Sequence, residues 1–461
     1  MAVRRLGIWP ILFWAVIAFQ ISVLPDTLGV GSMARVVNTL ALALFFVCSI
    51  SVLASQVSER VFVFYCLPVL LIIVGYLVNV LRSANFQALT YLGLIIPWFA
   101  ALSVPFTKGF DAEKYWRLFY RFMLVASAIA LLEYLAMFSG FLHPSIIETK
   151  RGEFLKGVFT IFLGLQDGTP FNRMYGVFAE PGTFAMYLLP ALAFALVHRK
   201  IFAAALFLVC MLLTASLGGY LGIVLVAVAF VQWEARRRGA VASLFVALAA
   251  TVIVACIFGT VYEFFAESYL DKGVSAAERE SNLDLFLRHF FDIAFEDPLG
   301  MELHGDSLTE LAKSDRLYIG SNFTIGSALV VGGLTSFIGY VMFLLVNTVC
   351  WLRAVSRTSR STVMECVCVS FPAVLSFIVQ RATIFDSALY SFLFAVPILS
   401  VLRWGPAHAH RAFQHPLWRG KGDERAQKSA EPYEHQQAAQ VAGVPGPPGI
   451  QPDRANDDLQ H

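Results

Sequence analysis

Charge is scarce in this chain. Only 14% of its 461 residues are Asp, Glu, Lys or Arg, against 58% hydrophobic, and the mean hydropathy is +0.68. Soluble domains carry about 25% charged residues. That much apolar surface does not fit inside a water-soluble core, so the composition requires an integral membrane protein. Cysteines placed for disulfides are missing as well. Cys48, Cys66, Cys210, Cys256, Cys350, Cys366 and Cys368 all fall in apolar runs. They read as small buried hydrophobes, not as a disulfide framework. Cys366 and Cys368 are two apart and therefore on different helix faces, which argues against a metal site. The sequence also lacks a nucleotide-binding glycine loop, a Ser/His/Asp arrangement and a zinc spacing. No metal and no cofactor are expected, and nothing points to nucleic acid.

What the chain has is long hydrophobic runs. A span needs about 20 apolar residues. Spans are expected near 7–25, 34–54, 61–81, 88–106, 118–141, 181–197, 201–215, 218–234, 241–262, 322–350, 362–380 and 384–402. The fold class is therefore all-α, a polytopic membrane protein of about 12 transmembrane helices. "MAVRRLGIWPILFWAVIAF" has arginines before an apolar run and no small-x-small cleavage site after it. It reads as a first span, not a removed signal. The block 201–234 is broken by "TASLGGY" and has basic residues at both ends. That pattern predicts two short helices turning at Gly218 and Gly219, with both basic ends on one side.

Basic residues in the short loops sort by side. Arg4, Arg5, Arg60, Lys114, Arg117, Arg199, Lys200, Arg236, Arg353 and Arg357 share the side of the N-terminus, with only Arg35, Arg82 and Arg381 opposite. The positive-inside rule makes the first side cytoplasmic, and both termini with it. Residues 1–403 then form a transmembrane domain. Two longer segments, 142–180 and 263–321, fall outside the cytoplasm. The tail 404–461 is rich in His, Gln, Pro and Gly and is expected to be disordered.

The larger outer loop contains "ESNLDLFLRHFFDIAFEDPLG". Leu283, Phe286, Leu287, Phe290 and Ile293 recur at helical spacing, with Asp284, Arg288, Asp292 and Glu296 on another face. This is an amphipathic helix, lying on the membrane or over a cavity and ended by Asp297, Pro298 and Gly300.

The ionisable residues of the outer face are the candidates for chemistry. Arg173 and Glu180 stand before the span that Pro181 opens. Pro suits the first helical position, and Glu180 would meet the positive end of the helix dipole. In the structural alternative, Glu180 caps and Arg173 pairs with it or snorkels. In the functional one, an exposed helix N-terminus with an arginine binds phosphate. Arg279 lies between glutamates in "AAERESN", and Arg288 stands four residues from Asp284 and from Asp292. His304 sits in "MELHGDS", while Arg381 ends one span shortly before Asp386. Each also has an ordinary reading, as a solvated ion-pair face, a loop residue or an interfacial anchor.

Four segments resemble one family. "RMYGVFAEPGTFA", "LLTASLGGYLGIVL", "ERESNLDLFLRHFFDIAFEDPLGMEL" and "SNFTIGSALVVGGLTSFIGYVMF" are similar, in order and side, to the Wzy-type O-antigen and exopolysaccharide polymerases, relatives of the O-antigen ligases. The resemblance covers roughly residues 30–400. Where the ligases carry a histidine, this chain has Ser321, followed by Asn322, which fits a polymerase better. The resemblance implies an all-helical, transferase C-like fold with a long helical periplasmic loop in the bacterial inner membrane. It also implies repeat units joined on undecaprenyl diphosphate at the outer leaflet; with no metal cluster visible in the sequence, the reaction is expected to be metal-independent. Arg173, Arg279 and Glu180 would be catalytic, and Arg288, Asn322, His304 and Arg381 would bind substrate. The partners would be the lipid-linked glycan, membrane lipid, a chain-length regulator and a flippase. The alternatives are ligase-type transfer and a polytopic transporter or flippase, though no internal repeat of the transporter kind is visible.

Overall fold

The computed structural model describes residues 62–83, 112–143, 145–149, 152–163, 173–178, 180–239, 286–288, 290–300, 324–356 and 362–380, with the isolated positions 241 and 249. The expected spans near 7–25, 34–54, 88–106 and 384–402 lie outside them, as does nearly all of 241–262. The chain divides into a unit Met1–Gly405 and a unit Pro406–His461. Every described residue belongs to the first.

The described structure is mostly helical. A π-turn, Phe62–Cys66, leads into α1, Leu67–Ser83. Then come α2 (Ala112–Phe138), α3 (Pro181–Val197), α4 (Ile201–Leu213), α5 (Leu217–Arg238), α6 (Thr324–Ser356) and α7 (Thr362–Gln380). Among the described residues, three helices are long and apolar enough to cross a membrane, over Ala112–Phe138, Gly218–Arg236 and Ala328–Val355. α3 is central and without a charged residue, buried from Phe184 to Ala195 against α2, α4, α5 and α7. That suits a helix with no polar face.

Four differences from the sequence expectation have physical causes. First, the fold is not purely helical. Residues 142–180 hold a four-stranded antiparallel sheet in the order β1 (Ser145–Thr149), β2 (Gly152–Lys156), β3 (Ile161–Leu163) and β4 (Met174–Gly176). Its register pairs Ile147 with Phe154 and Leu155 with Phe162. Second, α2 starts six residues before the expected 118, at Ala112. Its first turns are charged, and Arg117 donates to the Glu113 carboxylate one turn away, a pairing that supports a helix beyond its apolar stretch.

Third, the turn between α4 and α5 is at Thr214–Ser216, not at the glycines. Ser216 caps α5 by accepting from Gly219 N at 3.4 Å. Gly219 and Gly222 instead let α5 approach α3: a Cβ on them would lie 2.9 Å from Ala185 Cβ and 2.6 Å from Leu189 Cδ1. Fourth, α6 is interrupted at Gly333 (φ 68°, ψ −175°). Backbone freed inside an apolar span must find partners. Asn79 Nδ2 of α1 donates to Val331 O at 2.6 Å, and Leu334 N donates to Pro298 O at 2.8 Å. α1 and α6 meet through small residues, Gly75 on Gly332 and Ser336, with Ser336 Oγ donating to Ile72 O at 2.8 Å. Close backbone approach of this kind is the usual basis of helix association in lipid.

The basic ends gather at one end of the bundle. Arg199 pairs with Glu234 at 3.4 Å, Arg236 donates to Val355 O, and Lys200 Nζ stands 4.4 Å from the Tyr120 ring centroid.

Candidate active site

At the opposite end of the bundle, three chain segments meet. The first runs from Arg173 through β4 to Glu180. Met174, Tyr175, Val177 and Phe178 are buried there, and Phe178 stacks on Phe184 and Tyr187 of α3 at 5.5 and 4.9 Å. Gly176 turns the chain with φ 60°, against the Phe184 ring. This packing fixes where Arg173 leaves the sheet and where Glu180 enters α3.

The second segment is the α4–α5 break. α4 has 13 residues, about 20 Å of helix, which falls short of the roughly 30 Å hydrocarbon core. It ends with Ala215 in a left-handed conformation, φ 46°, an unusual state for a residue with a Cβ. The helix C-terminus leaves carbonyls to be paired. Tyr220 Oη donates to Leu212 O at 2.9 Å. Arg173 Nε donates to Thr214 O and Arg173 Nη2 to Ala215 O, each at 3.3 Å. A guanidinium at the negative end of a helix dipole is well placed electrostatically. Two of the contacts that hold half-buried Arg173 over the break are thus to backbone carbonyls of the "TAS" turn.

The third segment is the start of α3. Glu180 occupies the N-cap position in extended conformation (φ −146°, ψ 143°), and its carbonyl accepts from Phe184 N at 3.1 Å. Its side chain makes no capping hydrogen bond. Glu180 is thus the N-cap residue of α3 by position, at the positive end of the helix dipole, a placement that the structural and the functional reading share. The N-termini of α3 and α5 are neighbours, because Gly219 in the first turn of α5 contacts Ala185. Gly182 and Gly218 sit in those two first turns. Two positive helix ends with glycine backbone, beside an arginine, form a setting suited to an anion.

Arg288 is separate from this grouping along the chain. It is exposed on a helix that spans 286–288 and 290–296, with Asp292 and Glu296 exposed on the same face. That helix ends at Asp297–Gly300, where Gly300 N donates to Asp297 O at 2.9 Å. Leu287, placed by sequence with Phe286 and Phe290, is instead 64% exposed. Arg279, His304, Asn322 and Arg381 lie outside the described residues.

Sequence reasoning missed two polar anchors inside apolar runs, Asn79 and Glu133, and the role of a third residue, Arg82, at the end of one. Asn79 is fully buried and Arg82 Nη2 donates to Gly300 O at 3.0 Å, so α1 holds both the α6 break and the loop turn. Glu133 of α2 is buried and takes Phe159 N (2.9 Å), Thr160 N (3.2 Å) and Thr160 Oγ1 (2.5 Å), pinning the β2–β3 turn. The signal was present, since polar residues inside spans are costly and kept for a reason. Among the described residues, no group of three His, Cys, Asp or Glu side chains is arranged to hold a metal ion. No protein-family model matches the chain, and no curated protein matches it.

Proposed function

We propose that this chain is a membrane glycosyltransferase of the Wzy polymerase kind. It joins undecaprenyl-diphosphate-linked oligosaccharide units at the outer leaflet of a bacterial inner membrane, with both termini cytoplasmic. One observation carries the reading. Arg173 is held at the α4–α5 break, next to the paired N-termini of α3 and α5, with Glu180 at the α3 entrance.

The chemistry follows from those groups. The C–O bond between the growing glycan and its lipid diphosphate breaks, and a new C–O bond forms to a hydroxyl of the incoming unit. The hydroxyl proton passes to a base, for which Glu180 is the candidate. Negative charge builds on the departing diphosphate, where Arg173 and the helix N-termini stabilise it. Arg279 would serve the same charge, while Arg288, His304, Asn322 and Arg381 would bind the glycan or its diphosphate. A chain-length regulator and a flippase are the expected partners.

The test is Arg173→Ala in the producing cell. Polymer should disappear while single repeat units accumulate on lipid at unchanged protein level. Normal polymer length would end the proposal. A transporter or flippase is the second reading, favoured by the helix breaks at 214–216 and Gly333, because discontinuous helices also form transporter sites. Accumulation of unpolymerised units on the cytoplasmic face alone would select it. Transfer of glycan to lipid A core would select the ligase reading.

A further inference from the structure

The helix at 286–288 and 290–296 has three faces. At about 100° per residue, Phe286, Phe290, Ile293 and Ala294 share the first. This face packs on α6, with Phe286 and Phe290 at 6.4 and 5.2 Å from the Phe337 ring and Ile293 fully buried. Leu287, Phe291 and Phe295 form the second face, spaced by four residues and 64%, 66% and 77% exposed, the two rings stacked at 6.3 Å. Arg288, Asp292 and Glu296 form the third, charged and exposed. A helix packed on a protein in water needs only an inner and a polar face. A third, apolar face meets a third phase.

The docking level identifies that phase. The turn closing the helix rests on α6, where Leu334 N donates to Pro298 O and a Cβ on Gly333 would lie 2.6 Å from Leu299 C. Gly333 is five residues inside Ala328–Val355, a stretch long and apolar enough to cross a membrane. Five residues are about 7.5 Å of helix rise, within the roughly 5–10 Å depth at which interfacial helices bury their apolar face. Exposed apolar side chains also occur near the docked turn. Leu299 in the turn is 44% exposed, and Leu77 and Leu81 of α1 are 41% and 73% exposed, beside the Arg82 that holds Gly300 O.

We propose that this helix lies at the membrane boundary, with Leu287, Phe291 and Phe295 among lipid acyl chains and Arg288, Asp292 and Glu296 toward headgroups and water. The occupant of the second face is lipid. The proposal does not depend on the reaction catalysed.

Nitroxide labels test it in the full chain, with native cysteines replaced, in nanodiscs of phosphatidylethanolamine and phosphatidylglycerol. Labels at Phe291→Cys and Phe295→Cys should be several-fold more accessible to oxygen, and several-fold less to a water-soluble nickel chelate, than labels at Asp292→Cys and Glu296→Cys. Equal nickel accessibility on both faces would overturn the proposal in favour of a solvated helix. Shielding of 291 and 295 from both reagents would overturn it in favour of a protein partner, a second copy included. The unsubstituted chain offers an independent readout. A phospholipid with a mid-chain diazirine should crosslink to the segment holding Phe291 and Phe295, and no adduct there would refute the placement.

Discussion

Gly333→Ala perturbs the joint between the outer loop and the membrane bundle. Gly333 has φ 68° and ψ −175°, a region almost reserved for glycine that costs other residues about 1–3 kcal/mol. The added Cβ would also stand 2.6 Å from Pro298 O and 2.7 Å from Gly300 N, both backbone atoms. The turn must therefore move, giving up Leu334 N to Pro298 O and Arg82 to Gly300 O. Those bonds are worth about 0.5–1.5 and about 1.5–3 kcal/mol. The low ends of the three ranges together give about 3 kcal/mol, or about a hundredfold rise in the undocked population. Trypsin reads this directly, because Arg288 lies on the helix that would come loose. Gly140→Ala is the control: Gly140 has φ 75° and nothing within 4 Å of an added Cβ, so it bears the backbone penalty alone. Cleavage after Arg288 should speed up by about two orders of magnitude in Gly333→Ala relative to Gly140→Ala. Equal cleavage in the two variants would refute the docking argument.

Glu133→Gln weakens a three-donor carboxylate site and should lower stability by about 1–3 kcal/mol, read as thermal unfolding in detergent. Loss of polymer with unchanged melting would make Glu133 a reaction residue instead. Glu180→Gln keeps the size of the side chain and should slow turnover by about 10²–10⁴-fold; a parallel loss of melting temperature would assign Glu180 to structure. Burial holds the His198 imidazole below its ordinary 6.5, although its hydrogen bond to Phe194 O and the nearby Glu113 act the other way. The unfolded chain then binds the proton at higher pH than the folded one, so stability should fall as pH drops through 6.5 toward the lowered value. His198→Asn should flatten that part of the melting profile.

Among the described residues, much of the helical layout is legible in the sequence, because lipid demands long apolar runs and places charge at their ends. α3 starts at Pro181 as expected, and the loop helix ends at Asp297–Gly300 as its breaker residues indicate. What stays hidden depends on contacts distant in sequence. "VVGGLTS" reads as one continuous span because glycine is common in membrane helices. The break at Gly333 depends on Asn79, 252 residues from Val331, and on the Pro298 turn. The sheet escapes notice because β3 and β4 have three residues each, too few to show alternation. Leu287 and Phe286 look alike on a helical wheel, and only the position of Phe337 decides which one is buried. At the candidate site, Arg173 and Glu180 are visible as charges before a span. That Arg173 is held by Thr214 and Ala215 across 41 and 42 residues is visible only in the fold.

The most direct measurement is reconstitution. The purified chain in nanodiscs receives a synthetic undecaprenyl-diphosphate-linked repeat unit from the producing strain, and products are resolved by gel. The account predicts a ladder of lengthening glycan with release of undecaprenyl diphosphate, reduced about 10²–10³-fold by Arg173→Ala at an equal amount of folded protein. No ladder from the unsubstituted chain, or an undiminished ladder from Arg173→Ala, would contradict it.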